Sequence, residues 1–146
     1  MQSISERKKD ILYRELCERL PYDIRCFVPV YDEVMTLTGK RLNYFCFHKD
    51  EFGLDYRHEI EVVLDPYNSD DIIKPYLRPT SSMTKEEIHE LDMLFKNAGY
   101  EEGYEFILNE TTWIIYHDFM LAHHFDYRGL IEMGLALKAP EDMYEE

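Results

Sequence analysis

The chain has 146 residues, of which 45% are hydrophobic and 14% aromatic, and it sets 30 Asp and Glu against 16 Lys and Arg for a formal charge of −14. So much large apolar surface excludes a disordered polypeptide, and one domain spanning residues 1–146 suffices to bury it. The negative surface repels phosphate backbones and anionic membrane faces, which argues against direct nucleic-acid binding, and no apolar run approaches the roughly 18 residues of a spanning helix.

Ser3 followed by Glu6 has the form of a capping box. Ile4, Ile11, Leu12, Leu16 and Leu20 then recur at helical spacing up to Pro21, predicting a first helix from Ser3 to Leu20. Its basic run Arg7-Lys8-Lys9, offset by Glu6, Glu15 and Glu18, reads as a solvated helix face. Cys17 reads as a small buried hydrophobe rather than a nucleophile.

From Arg25 to Leu64 the period changes to two. The expected strands are Arg25 to Tyr31, Val34 to Thr38, Leu42 to His48 and Tyr56 to Leu64, with Gly39-Lys40 as a tight hairpin turn. Pro29 cannot donate to a ladder, so the first strand is expected at an edge or a bulge. Short connections impose an antiparallel meander, which can curl into a small SH3-like barrel. The following strap, Ile72 to Pro79, is extended because residues before proline avoid the helical region, and it can add a fifth strand. Its Lys74 and Arg78 read as solvated charges, with an anion site as the sharper alternative.

Thr84 and Glu87 form a second capping box, Met83 and Ile88 can staple it, and Leu91, Leu94 and Phe95 continue the stripe to a stop at Gly99. This helix is expected to cover the sheet. Tyr104 to Leu108 and Thr111 to Tyr116 read as a hairpin because Thr111, Thr112, Ile114 and Ile115 are β-branched, although a helix from about Thr112 competes. A short helix from His117 to His124, a buried Phe125 and a last helical piece from Tyr127 to Met133, capped by Asp126 and stopped by Gly134, complete the fold. The tail from Lys138 is expected to fray. The fold class is α+β: an N-terminal helix, the meander, a covering helix, and a C-terminal hairpin with short helices.

Candidate chemistry concentrates in Ala122 to Ala136, AHHFDYRGLIEMGLA. His117 and His124 lie seven apart on a helix and share a face, so with Asp126 they form a possible metal-ligand set. Against this, no HExxH is present, and the adjacent His123 and His124 point about 100° apart on a helix. The competing reading is a helix-to-helix corner in which Asp126 caps backbone amides while His123 or His124 and Arg128 complete the hydrogen bonding. There is no GxSxG, P-loop or GxGxxG motif, and no cofactor is called for. The three cysteines, Cys17, Cys26 and Cys46, form no CxxC pair, and MQSISERKKD contains no signal-peptide core, so a reducing cytoplasm is the expected compartment.

Two blocks, KPYLRPTSSMT (Lys74 to Thr84) and AHHFDYRGLIEMGLALKAP (Ala122 to Pro140), cover about a fifth of the chain. They resemble recurrent blocks in a family of small uncharacterised proteins from gut Bacteroidales and their phages and prophages. The resemblance implies a bacterial cytoplasm and a phage or mobile element as the source. It carries over no catalytic residue. The expected function is therefore non-catalytic: an acidic, tyrosine-rich protein that binds another protein, with mimicry of nucleic acid as a sharper version. The alternative is a small metal-dependent hydrolase or ligand-binding enzyme centred on His117, His124 and Asp126. Oligomeric state is not legible in the sequence.

Overall fold

Period-two patterning after the first helix produces a meander whose strands pair in sequence order. The computed structural model describes residues 4–29, 31–41, 44–49, 59–63, 73–99 and 110–144. In chain order these form α1 (Ile4–Glu18), β1 (Arg25–Val28), β2 (Glu33–Arg41), β3 (Tyr44–Lys49), β4 (Glu59–Val63), β5 (Lys74–Leu77), α2 (Lys85–Asn97), α3 (Glu110–Ala122) and β6 (Leu137–Lys138). Single 3-10 turns follow α1 at Leu20–Tyr22 and β5 at Thr80–Ser82. The fold is α+β. Its sheet has the order β4-β3-β2-β1-β5-β6, antiparallel except for the short parallel pair β5 and β6. The described strands leave the sheet open, so they do not form the barrel that the meander allowed.

The strap does join as a fifth strand, pairing with β1 through Cys26 with Pro75 and Phe27 with Lys74. That placement makes β1 internal, flanked by β2 and β5, and not an edge as Pro29 suggested. Pro29 is harmless because the strand ends at Val28. Gly39-Lys40 is likewise not the turn: β2 continues to Arg41, with Gly39 opposite Cys46. The register shifts between Leu37 and Gly39, leaving Thr38 out of the ladder with its hydroxyl donating to the Cys46 carbonyl at 3.2 Å. A glycine that read as a hairpin tip is the flank of a bulge. Residues 56–58, where the fourth strand was expected to begin, lie outside the described residues, as does the Ser3 cap.

Two cores result. Leu12 and Leu16 of α1 pack with Ile24, Cys26, Val28, Met35, Leu37, Phe45, Phe47 and Leu77 of the sheet region, and Leu130, Leu135 and Ala136 return to the same core. Phe119, Met120 and Phe125 form the second, with Met83, Leu91, Tyr116 and Tyr127 against them. The β-branched run at Thr111 is helical, not a hairpin strand. Thr112, Phe119 and Met120 are buried and Tyr116 is half-buried, a series with helical spacing whose burial outweighs β propensity. The expected partner strand from Tyr104 lies outside the described residues.

α2 starts as read: Thr84 Oγ1 accepts from the Glu87 amide at 3.1 Å, and Glu87 Oε1 accepts from the Thr84 amide at 3.0 Å. Of the two residues expected to staple it, Met83 packs on the second core and Ile88 is 54% exposed. The tail does not fray at Lys138. Ala139 N donates to the Leu77 carbonyl at 2.8 Å, and the Tyr144 hydroxyl donates to the Tyr76 carbonyl at 2.7 Å.

Candidate functional site

The segment after α3 is a corner built from two consecutive turns with the backbone bonding of a helix stop, of which the first ends α3. At the first, the Phe125 amide donates back to Met120 O at 2.9 Å and the His124 amide to Leu121 O at 3.1 Å, with His124 left-handed at φ 63°. Glycine usually holds that position, so the second histidine of the pair occupies a strained backbone site. At the second, Leu135 N donates to Leu130 O at 2.9 Å and Gly134 N to Ile131 O at 3.1 Å, with Gly134 at φ 77°. Between them Asp126 accepts from the Leu130 amide at 2.8 Å and the Ile131 amide at 3.0 Å. The segment Tyr127 to Met133 is a run of turns rather than the expected helix, with one further backbone bond of helical spacing, from Met133 N to Gly129 O at 3.3 Å.

Arginines grip this corner from either side. Arg78 lies 4.2 Å above the Phe125 ring centroid and makes a forked pair with Glu87, both bonds 2.7 Å. Backbone bonds of 2.8 Å from Arg78 N to His124 O and from Asp126 N to Arg78 O fasten the same point. The Arg78 hydrogen bonds hold the Glu87 carboxyl down at about 2, against the opposing effect of burial. Arg78 is thus neither a solvated charge nor a free anion anchor. His123 sits between Glu87, 3.1 Å from Nδ1, and Glu90, 3.4 Å from Nε2. From the other side, fully buried Arg19 donates to Phe125 O at 2.7 Å and to Glu15 Oε1 at 3.2 Å. Burial pushes the Glu15 carboxyl up, opposed by Arg19 and Arg128.

A third tie joins α1, α3 and the corner. The Tyr127 hydroxyl donates to Glu18 Oε2 at 2.5 Å, accepts from Arg128 Nε at 3.0 Å and shares a 3.0 Å hydrogen bond with His117 Nε2. Arg128 Nη2 donates to Glu18 Oε1 at 2.8 Å. Trp113 stacks on His117 at 5.4 Å between ring centroids. Burial opposes ionisation of Glu18, yet Tyr127, Arg128 and His117 together hold its carboxyl below the usual range. Burial, then Glu18, push the Tyr127 phenol up. The proton therefore stays on the phenol and the carboxylate stays charged. Chemically this is a tie, not a proton shuttle.

The proposed metal ligands are not brought together. His117 faces Tyr127 and Glu18, the His124 ring stacks on Tyr144 at 3.8 Å, and Asp126 is committed to backbone amides. Among the described residues no three His, Cys, Asp or Glu side chains are grouped to hold a metal ion. Burial, then Arg19, push the His124 imidazole down to about 4, so at neutral pH it is uncharged. Sequence reasoning missed Glu15, Arg19 and Glu87 as partners of the corner. For Glu15 and Arg19 a signal existed: with Leu12 and Leu16 they occupy one helix face at i, i+3, i+4 and i+7.

The large apolar side chains left exposed lie outside the corner, apart from Trp113, whose ring stacks on His117. Of the seven among the described residues, Ile88, Met93 and Leu94 lie on α2, and Trp113 and Ile114 on α3. Exposed Glu86 and Glu90 stand on α2, and Glu110 and Asp118 on α3. Among the described residues no helix is long and apolar enough to cross a membrane. Comparison with protein-family models, with curated proteins and with solved structures finds no match to this chain.

Proposed function

We propose that this chain is a non-catalytic binding protein whose α2 and α3 helices dock on a partner protein with a basic, apolar surface. The observation that carries this reading is the placement of five exposed large apolar residues on those two helices among carboxylates, with Ile114 51% and Trp113 43% exposed. Exposed aromatic and aliphatic side chains are the usual anchors of interfaces, and surrounding carboxylates select a basic rim. The residues first suspected of chemistry support the same reading, since His123, His124, Asp126 and Arg128 each hold the corner that seats α3. The exposed tyrosines among the described residues, Tyr13 and Tyr31, lie on α1 and in the turn between β1 and β2, not on these two helices. The setting we propose, from the resemblance of the two sequence blocks, is a bacterial cytoplasm carrying a phage or prophage.

The test is affinity capture from such a host with wild-type protein and with Ile114→Asp, after confirming that the two melt alike. A partner held by wild type and lost by the variant supports the reading. Capture indifferent to Ile114→Asp and to Trp113→Ala overturns it. Salt separates the finer possibilities: a nucleic-acid mimic loses its partner steeply as salt rises, whereas an apolar-anchored interface keeps most of its affinity.

A further inference from the structure

Glu15 and Arg19 are both fully buried where α1 meets the corner. The direct bonds of the guanidinium, to Glu15 Oε1 and to Phe125 O, both leave from Nη2. Arg19 Nε, Arg19 Nη1, Glu15 Oε2 and His124 Nδ1 are shielded from solvent and meet no hydrogen-bond partner among the described residues. Arg128 Nε approaches Glu15 Oε2 only to 3.8 Å, an ion pair but not a hydrogen bond. Buried polar atoms of native proteins are nearly always satisfied, and those of charged groups most of all.

The chemistry of the four atoms selects what completes them. The two nitrogens of the Arg19 guanidinium only donate, and a carboxylate oxygen only accepts. The Nδ1 of a neutral His124 donates or accepts according to its tautomer. An anion would suit Arg19 and repel Glu15, and a cation would do the reverse. Water serves both. The geometry of arginine also fixes that one molecule is not enough, because Cδ occupies the edge of the planar fork between Nε and Nη1, so these two groups point to opposite flanks.

We propose that Glu15, Arg19 and His124 form a buried hydration site that holds a pair of ordered water molecules, one on each flank of the Arg19 guanidinium. The pair bridges α1 to the corner after α3. It is a hydrated seam between the two cores and is independent of the proposed docking function.

Oxygen-17 magnetic relaxation dispersion on the whole protein, which counts slowly exchanging internal water, tests this directly. Wild type is compared with the double variant Arg19→Met/Glu15→Leu and with the milder His124→Phe, so that waters elsewhere cancel. The expected result is a loss of about two long-lived molecules in the double variant, with a smaller loss in His124→Phe. A crystal structure of the wild type decides the matter even where the double variant does not fold. Density at about 2.6–3.2 Å from Arg19 Nε and separately from Nη1 supports the site. Equal dispersion in all three proteins, direct protein partners at those atoms, or a bromide ion found there by anomalous scattering overturns it.

Discussion

Arg19 and Arg78 hold the same residue, Phe125, and do so by opposite physics. Arg78 lies over the Phe125 ring on the α2 side, partly exposed, and its fork is matched by both oxygens of Glu87. Arg19 holds the Phe125 carbonyl on the α1 side, fully buried, with one carboxylate oxygen in reach and two of its nitrogens without hydrogen-bond partners among the described residues. The Arg78–Glu87 pair is well made and keeps some contact with solvent, with 22% and 13% of the two side chains exposed. The buried pair is less complete and far more costly to break, because whichever charge remains is stranded in the core. The corner is therefore held strongly by the side with the poorer hydrogen bonding.

The largest effect expected from this contrast is at Arg19. Arg19→Met leaves Glu15 buried and uncompensated and is expected to cost about 3–5 kcal/mol, read from the urea midpoint. Adding Glu15→Leu removes the stranded charge and is expected to recover most of that loss. If the double variant is no more stable than the single one, the burial argument fails.

Second is the part-buried Arg78–Glu87 clasp. Glu87→Gln keeps the shape but removes the charge, and is expected to cost about 1–2 kcal/mol at neutral pH. The Glu87 carboxyl is lowered in the folded protein from an ordinary 4.5 to about 2. Its contribution is therefore fully present above pH 4.5 and is lost as pH falls toward 2. The stability difference between wild type and Glu87→Gln is expected to close over that window. Thr84→Ala, which removes the other half of the capping box, is expected to cost about 1 kcal/mol with little pH dependence above 4.5.

This contrast also explains what the sequence could reveal. The capping box was legible because Thr84 and Glu87 are three residues apart and act within one turn. The second duty of Glu87, as partner of Arg78, was not, because it depends on β5 and α2 meeting in space. At α3 the β-branched Thr111 to Ile115 favour strand, with a helix from about Thr112 as the competing reading, and burial of Phe119 and Met120 against Phe125 decides for the helix. Arg19 was the most legible of the missed residues. A charged pair on the apolar face of α1, beside Leu12 and Leu16, was visible as an inconsistency. Its resolution was not, because the carbonyl it holds lies 106 residues away. His124 was read for its ring, whereas its backbone, left-handed at the end of α3, is what the corner requires of it.

The smallest effect at neutral pH, and the sharpest test of the comparison, is expected from His124→Phe, which keeps a ring against Tyr144 and should change stability by no more than about 1 kcal/mol. Its signature is in pH. The folded protein lowers the His124 imidazole from 6.5 to about 4, through burial and then Arg19, so the unfolded chain takes up a proton first. Stability from this residue is present above pH 6.5, declines as pH falls toward 4, and changes no further below. Wild type is thus expected to lose stability in two steps, the buried α1 side between pH 6.5 and 4 and the Arg78–Glu87 clasp between 4.5 and 2. His124→Phe should flatten only the upper step and Glu87→Gln only the lower, as read by urea unfolding at successive pH values. A variant that flattens both would mean that the two sides of Phe125 are electrostatically one site, and the separation of buried from exposed arginine would have to be abandoned.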